Sequence, residues 1–297
     1  MKTYFECIPC ILTQVIITLD LCKADFDLKR IVVSELLEKL KSADYELSPS
    51  ENTDIAYEII TKHTDIKDPY YHYKREHNKL AIDSYQDLKK ILNSSQNRLY
   101  CAAKIAIAGN VIDLGISHNH KDQLDFSRIL KNIVEIPLAI DDFNDFEIRL
   151  KNAKNVLYIA DNAGEIIFDR VFIEELVHMG KKVTVSVKSG PIINDANLED
   201  ALEAGLDKIA EIIEAGHNKI GNSIKYVSDG FLDTFYSADL IISKGQGNFE
   251  TLSEVTAPVY FLLKAKCKSV AAELGVNYLD VVFVKNRLFK DRGKADL

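Results

Sequence analysis

Apolar positions follow two different rhythms along the chain. Over the first hundred residues they recur every three or four places, as at Leu28, Ile31, Val32, Leu36, Leu37 and Leu40 within Leu28–Lys41, and at Tyr85, Leu88, Ile91 and Leu92. That spacing predicts amphipathic helices. Between them, Ser48-Pro-Ser-Glu51 reads as a helix start, with Pro49 and Glu51 suited to a first turn. From about Lys154 the texture changes to short β-branched or apolar runs at Val156–Ile159, Val183–Val187, Lys208–Ile213, Leu240–Ile242, Val259–Leu263 and Val281–Val284. Helical patterns separate most of them, at Ile166–Met179, Leu198–Ala204, Ser228–Tyr236 and Ser269–Leu274. This alternation predicts a doubly wound α/β domain with a mainly parallel sheet. In the middle, Leu99–Gly109 reads as a buried helix and Phe126–Ile136 as helical by period. There is no internal repeat, low-complexity tract or linker, so the boundary between a helical domain (1–95) and the α/β domain (96–297) is expected to be a packed interface.

The composition is that of an ordinary globular protein, with 297 residues, 47% hydrophobic and 28% charged. A formal net charge of -8 argues against a nucleic-acid partner, which needs a concentrated field of Lys and Arg. The long apolar stretch Cys10–Leu19 is interrupted by polar residues and falls short of the roughly 20 apolar residues of a membrane span. The start of the chain lacks the apolar core of a signal peptide, so a cytoplasmic location is expected. Five scattered cysteines do not form a disulfide framework, and reduced thiols are expected. Cys7-Ile-Pro-Cys10 has no second pair to complete a zinc site, which leaves a structural role ahead of a metal or redox one.

Three strand ends carry candidate chemistry. Asp161-Asn-Ala-Gly-Glu165 follows directly on Asn155–Ala160, where α/β proteins bind ligands beyond the carboxyl ends of their strands. Asp161 and Asn162 supply hard oxygen donors that suit Mg²⁺ or Mn²⁺ better than zinc. After Val183–Val187, the loop Lys188–Asn197 adds Asn194, Asp195 and Asn197. The same Asp and Asn residues are also good helix N-caps, so spacing alone leaves both readings open. The third element, Ser243-Lys-Gly-Gln-Gly-Asn-Phe-Glu250, offers the backbone amides of Gly245 and Gly247 and the charge of Lys244 to an anion. It is neither a Walker loop nor a dinucleotide fingerprint. His118-Asn-His120 reads as a solvated loop, and His72 and His77 as packing residues.

Taken together, Asp161-Asn-Ala-Gly-Glu165, Asn194-Asp195, Lys244-Gly-Gln-Gly-Asn-Phe-Glu250, the upstream Gly109-Asn-Val-Ile-Asp113 and Cys7-Ile-Pro-Cys10 resemble the metal-dependent damage-control phosphatases, long catalogued as domain of unknown function eighty-nine. The match spans nearly the whole chain in the family's motif order, and the Cys-x-x-Cys start resembles its archaeal and bacterial branch. The resemblance implies a Rossmann-like three-layer α/β/α domain with an N-terminal helical part and a divalent cation (Mg²⁺, Mn²⁺, Co²⁺ or Ni²⁺) at the sheet's carboxyl edge. Carried over by position, Asp161, Asn162 and Asp195 are the metal ligands. Lys244 holds the substrate phosphate with Gly245, Gly247 and Asn248, and Asn110 and Asp113 line the cleft. Asp68-Pro-Tyr70 with Lys74 resembles a further motif. Glu165 either orients a metal-bound water or complements the helix dipole. The expected reaction is hydrolysis of phosphate monoesters of small metabolites, with attack by water or through an aspartyl phosphate on Asp161. Two other readings are an S-adenosylmethionine-dependent carboxyl methyltransferase, although the first strand is not followed by the glycine-rich run such enzymes use, and a metal- or redox-responsive interaction module built on Cys7 and Cys10. The substrate, the native metal and the oligomeric state are not legible at this level.

Overall fold

The structure is a computed structural model that describes residues 1–111 and 135–289. Four helices open the chain: α1 (Cys7–Leu21), α2 (Phe26–Leu40), α3 (Pro49–Thr64) and α4 (Tyr71–Ser94). The start of α3 is a capping box: Glu51 N donates to Ser48 Oγ at 3.2 Å, Ser48 N donates to Glu51 Oε2 at 3.0 Å, and Pro49 occupies the first turn. The rest comprises α5 (Arg98–Val111), β1 (Ile140–Asp141), α6 (Phe143–Asn152), β2 (Asn155–Ile159), α7 (Glu165–His178), β3 (Lys182–Val187), α8 (Leu198–Glu203), β4 (Glu211–Glu214), α9 (Asp229–Ser237), β5 (Leu240–Lys244), α10 (Gln246–Leu252), β6 (Val259–Lys264), α11 (Lys268–Leu274) and β7 (Val281–Lys285). The expected α/β fold is present, with each predicted strand found within a few residues.

The seven strands run in the order β1-β7-β6-β5-β2-β3-β4. β6, β5, β2, β3 and β4 are mutually parallel, and β7 is antiparallel to β6. Both faces are covered. Val156, Tyr158, Leu240 and Ile242 pack with residues of α4, α5, α6 and α7, whereas the alternate positions Leu157, Ile159 and Ile241 pack with Phe231, Phe249 and Val270 of α9, α10 and α11. A third core gathers α1, α2 and α3 around Leu19, Leu36 and Ile60, and reaches Ile192 in the loop after β3. Helix α4 belongs by packing to the sheet's core, through Ala81, Leu88 and Leu92.

Several elements differ from expectation. The run Lys208–Ile213 divides into a 3₁₀ turn, Leu206–Lys208, and β4, because Gly205 ends α8 at φ +69° and turns Leu206 into the core. The two-residue β1 and the seven-residue α10 are too short to show a period. His118-Asn-His120, Asp113 and all but the last two residues of Phe126–Ile136 lie outside the described residues. No helix among the described residues is long and apolar enough to cross a membrane.

From β2 the chain winds outward through β3 and β4, and from β5 in the opposite direction through β6. The strand order therefore reverses between β2 and β5, where Ile159 pairs with Ser243, the place where open α/β sheets hold ligands in a crevice beyond the carboxyl ends of the strands.

Candidate active site

Into that crevice the turn after β2 brings Asp161 and Asn162, while Gly164, at φ +77°, starts α7 with Glu165 as its first residue. The turn after β5 supplies Gly245. This glycine cannot be replaced without a collision: its φ is +80°, and a Cβ there would lie 1.9 Å from Asp161 Oδ2. The third loop joins through backbone pairing, because Asn162 and Asp195 form an isolated antiparallel bridge and Ala196 N donates to Asp161 O at 2.8 Å. Just before it, Ile193 holds a φ of +38°, a strained conformation for a β-branched residue, at the point where the chain turns Asp195 inward.

Two amides converge on the carboxylates. Asn110 Nδ2 donates to Asp161 Oδ2 at 3.0 Å and to Glu165 Oε2 at 3.1 Å, and Asn162 Nδ2 donates to the same two oxygens at 2.7 and 3.2 Å. Asp195 is buried and pairs with Lys188 Nζ at 3.7 Å, and the Lys188 ammonium also donates to Gly221 O. Acidic groups crowd here. Burial, then Glu165 and then Asp195, push the Asp161 carboxyl well above the usual carboxylate range. Burial pushes Asp195 up to about 6 against the pull of Lys188.

Lys244 does not occupy the place read for it. It is a strand residue two positions beyond Ile242 and faces the same side of the sheet, toward α5 and α7. Its ammonium donates to Glu165 Oε1 at 2.6 Å, Asp169 Oδ1 at 2.5 Å and Ala106 O at 2.9 Å, with the side chain fully buried. All three donors are used beneath the crevice floor, and none is left for a phosphate. Asn248 is likewise turned inward: its Nδ2 donates to Ala160 O and Lys244 O, and its Oδ1 accepts from Asn222, so it ties the ends of β2 and β5 together. Asn110 orients carboxylates and accepts Lys264 N at 3.1 Å; it does not face an open cleft as expected. Gly247 packs its backbone against Ile220 and Gly221. Glu165 is a second carboxylate of the cluster, held by Lys244 and both amides, rather than only a dipole partner at a helix end.

Pattern reading missed Asp169 and Asn78. Asp169 lies one turn after Glu165, and its pairing with Lys244 was hidden because a buried Lys on a strand resembles a loop cation until the strand's end is known. Asn78 sits on α4 in the helical part. Its Oδ1 accepts Gly164 N at 2.6 Å and its Nδ2 donates to Asp200 Oδ1 at 2.9 Å, while Asp200 closes a capping box with Asn197. One amide thereby fastens both carboxylate-bearing loops to α4. Beyond the loop after β3, a cavity of about 550 Å³ is lined by Asp54, Tyr57, Ile60, Asp68, Pro191 and Ile192, among others.

The donor set is consistent with a hard divalent cation: two carboxylates and an amide at a strand-end crevice. Asn162 departs in one respect, since it presents its amide nitrogen to Asp161 in this arrangement. Among the described residues no three His, Cys, Asp or Glu side chains form a ready metal set. The cysteines do not form one either. Cys7 is buried in the first turn of α1, Cys10 is exposed, and Cys267 caps α11, with burial pushing all three thiols up.

The profile of the damage-control phosphatase ARMT1-like domain matches residues 3–282. The chain belongs to the damage-control phosphatase family. A damage-control phosphatase of Pyrococcus horikoshii is 36% identical over 292 residues, covering 97% of this chain and 99% of that protein. Another, from Archaeoglobus fulgidus, is 34% identical over 291 residues, covering 95% and 98%. The crystal structure of a DUF89 family protein from P. horikoshii superposes with a TM-score of 0.87 at 34% identity, covering 97% of this chain and 100% of that one. Membership in the damage-control phosphatases agrees with a crevice floor of acidic and amide groups where a doubly wound sheet reverses.

Proposed function

We propose that this damage-control phosphatase is a cytoplasmic, divalent-metal-dependent hydrolase of phosphate monoesters of small metabolites. The observation that carries the reading is the meeting of Asp161 and Asp195 on adjoining strand-end loops, with Gly245 pared back so that the Asp161 carboxylate has room. Asp161, Asp195 and, with its amide turned over, Asn162 would hold the metal. When bound, a cation there supplies Lewis-acid polarisation of a phosphoryl oxygen and an acidified water. The protein's own part is orientation. Asn110 fixes Asp161 and Glu165 relative to each other, Lys244 holds Glu165 from below, and Lys188 offsets Asp195. Glu165, beside Asp161 and held by its ion pair with Lys244, would take the proton of an attacking water.

The test is phosphate release from para-nitrophenyl phosphate with Mg²⁺, Mn²⁺, Co²⁺ or Ni²⁺ added to chelator-treated protein. Activity should require metal, and Asp161→Ala should lower kcat/KM by roughly 10²-fold or more. Full activity of that variant with metal present would show the site to be misassigned.

A further inference from the structure

Three thiols take no part in the crevice chemistry, yet the fold brings them to one junction: Cys7 and Cys10 in the first turns of α1, and Cys267 at the start of α11. We propose that Cys10 and Cys267 are joined in a reversible disulfide by a hydroperoxide, and that this cross-link between α1 and the turn after β6 lowers turnover. The bond itself stands apart from the phosphatase reading; only its effect on turnover rests on it.

The chain ahead of α1 is stitched to α10 and α11. Met1 N donates to Glu250 O at 2.8 Å and to Ser253 Oγ at 3.3 Å, and Tyr4 Oη donates to Glu273 Oε2 at 3.3 Å. Met1 and Cys267 pack in the same core. Cys267 caps α11, where its Sγ accepts Val270 N at 3.4 Å and Gln246 Nε2 at 3.6 Å. The charge of Cys267 acts on both Cys7 and Cys10, and that of Glu250 acts on all three thiols. Cys10 is exposed and Cys7 buried, so an oxidant meets Cys10 first. Cys7 is a poor partner for it. Residues three apart on a helix hold their Cβ atoms about 5–6 Å apart, whereas a disulfide requires about 3.5–4.5 Å, so that pairing would unwind the first turn of α1. Cys267 approaches from a separate element and carries no such cost.

In the first step Cys10, as thiolate, attacks an oxygen of the hydroperoxide, breaks its O–O bond and becomes a sulfenic acid, releasing an alcohol, or water from hydrogen peroxide. Cys267 Sγ then attacks that sulfur, the S–S bond forms, and the sulfenic oxygen departs as water with the proton of Cys267. Two electrons pass from the thiol pair to the peroxide. Because burial holds these thiols protonated at neutral pH, the bond forms slowly and answers a sustained oxidant.

The turn after β6 leads directly to the carboxylates. Three residues before Cys267, Lys264 N donates to Asn110 Oδ1 at 3.1 Å, and Asn110 orients Asp161 and Glu165. Lys266 N donates to Gln246 Oε1 at 3.0 Å, and Gln246 follows Gly245, the glycine that makes room for Asp161. A bond that draws Cys267 toward α1 takes its sulfur from Gln246 and loosens both ties.

To test this, the full chain is treated with hydrogen peroxide at mildly alkaline pH, freed of peroxide, alkylated and digested, and its peptides are weighed with and without dithiothreitol. The expected product is a dithiothreitol-sensitive pair joining the peptides of Cys10 and Cys267. On oxidation, kcat/KM for para-nitrophenyl phosphate and Mn²⁺ affinity by calorimetry should each fall roughly tenfold or more, and both should recover on reduction. Cys10→Ser should keep the activity of the reduced protein and lose the response. Sulfenic or sulfinic acid on Cys10 alone, a Cys7–Cys10 bond, or zinc or iron that copurifies with wild type and is lost from Cys10→Ser overturns the inference. A cross-link that leaves turnover and Mn²⁺ affinity unchanged overturns it as well. Should the reduced protein fail to hydrolyse the ester at all, the phosphatase reading falls, while the peptide map and the calorimetry still decide this one.

Discussion

Gly245 shows how one residue sets the geometry of the crevice. A strand end normally closes with side chains, but here the Asp161 carboxylate lies where a Cβ would be. Gly245→Ala therefore carries two penalties: an L-residue forced to φ +80°, worth roughly 1–3 kcal/mol of strain, and displacement of Asp161 from its two amides. The expected outcome is a lower unfolding midpoint together with divalent-cation affinity reduced at least tenfold by calorimetry. Retained affinity would mean that Asp161 holds its place without this close approach. The glycine was visible in the sequence as a candidate anion cradle, but its actual use, making room for a carboxylate from a different loop, depends on β2 and β5 being neighbours. No spacing within either segment contains that fact.

At the scale of elements, β5 and α7 are joined by a buried charge network. Lys244 faces Glu165 and Asp169, which are i, i+4 on α7, and Tyr158 of β2 donates to the same Asp169 oxygen at 2.7 Å. Lys244→Met leaves two buried carboxylates without their cation, which costs about 3–5 kcal/mol. Urea unfolding should show that loss, and Asp169→Asn in the same background should restore part of it by removing one of the stranded charges. No restoration would mean that Lys244 stabilises chiefly through Glu165. Strand parity made part of this legible beforehand: Leu240 and Ile242 point into one layer, so a strand continuing to residue 244 must point Lys244 there as well. The apolar run stops at Ile242, so Ser243 and Lys244 read as loop, whereas the strand continues through Lys244. Amphipathic helices and apolar strands were read from period alone, since burial dictates them locally. Partners such as Asn78 and Gly164, 86 positions apart, are set by packing between layers, and neither residue carries a local sign of it.

At the scale of the whole molecule, the helical part and the sheet meet across polar contacts that should respond to pH, and Asp54 reports on them most directly. It sits on α3 at 6% exposure, accepts Ile220 N from the loop after β4 at 2.9 Å, and lies 3.6 Å from Lys219 Nζ. Burial pushes its carboxyl up to about 6, outweighing the hydrogen bond and the nearby Lys219 and Lys188. A folded-state value above the unfolded one, about 3.9, means that the folded protein holds this proton more tightly. The contribution is therefore fully present below about pH 4, is lost as pH rises toward 6, and is constant above 7. Wild type measured against Asp54→Asn by chemical denaturation should accordingly lose relative stability across pH 4–6, with a slope approaching about 1.4 kcal/mol per pH unit at its steepest. The comparison removes every carboxyl that the two proteins share, including those of the crevice. A flat difference across that window would show Asp54 titrating as an exposed carboxylate, which is possible only if α3 stands away from the sheet's loops in solution.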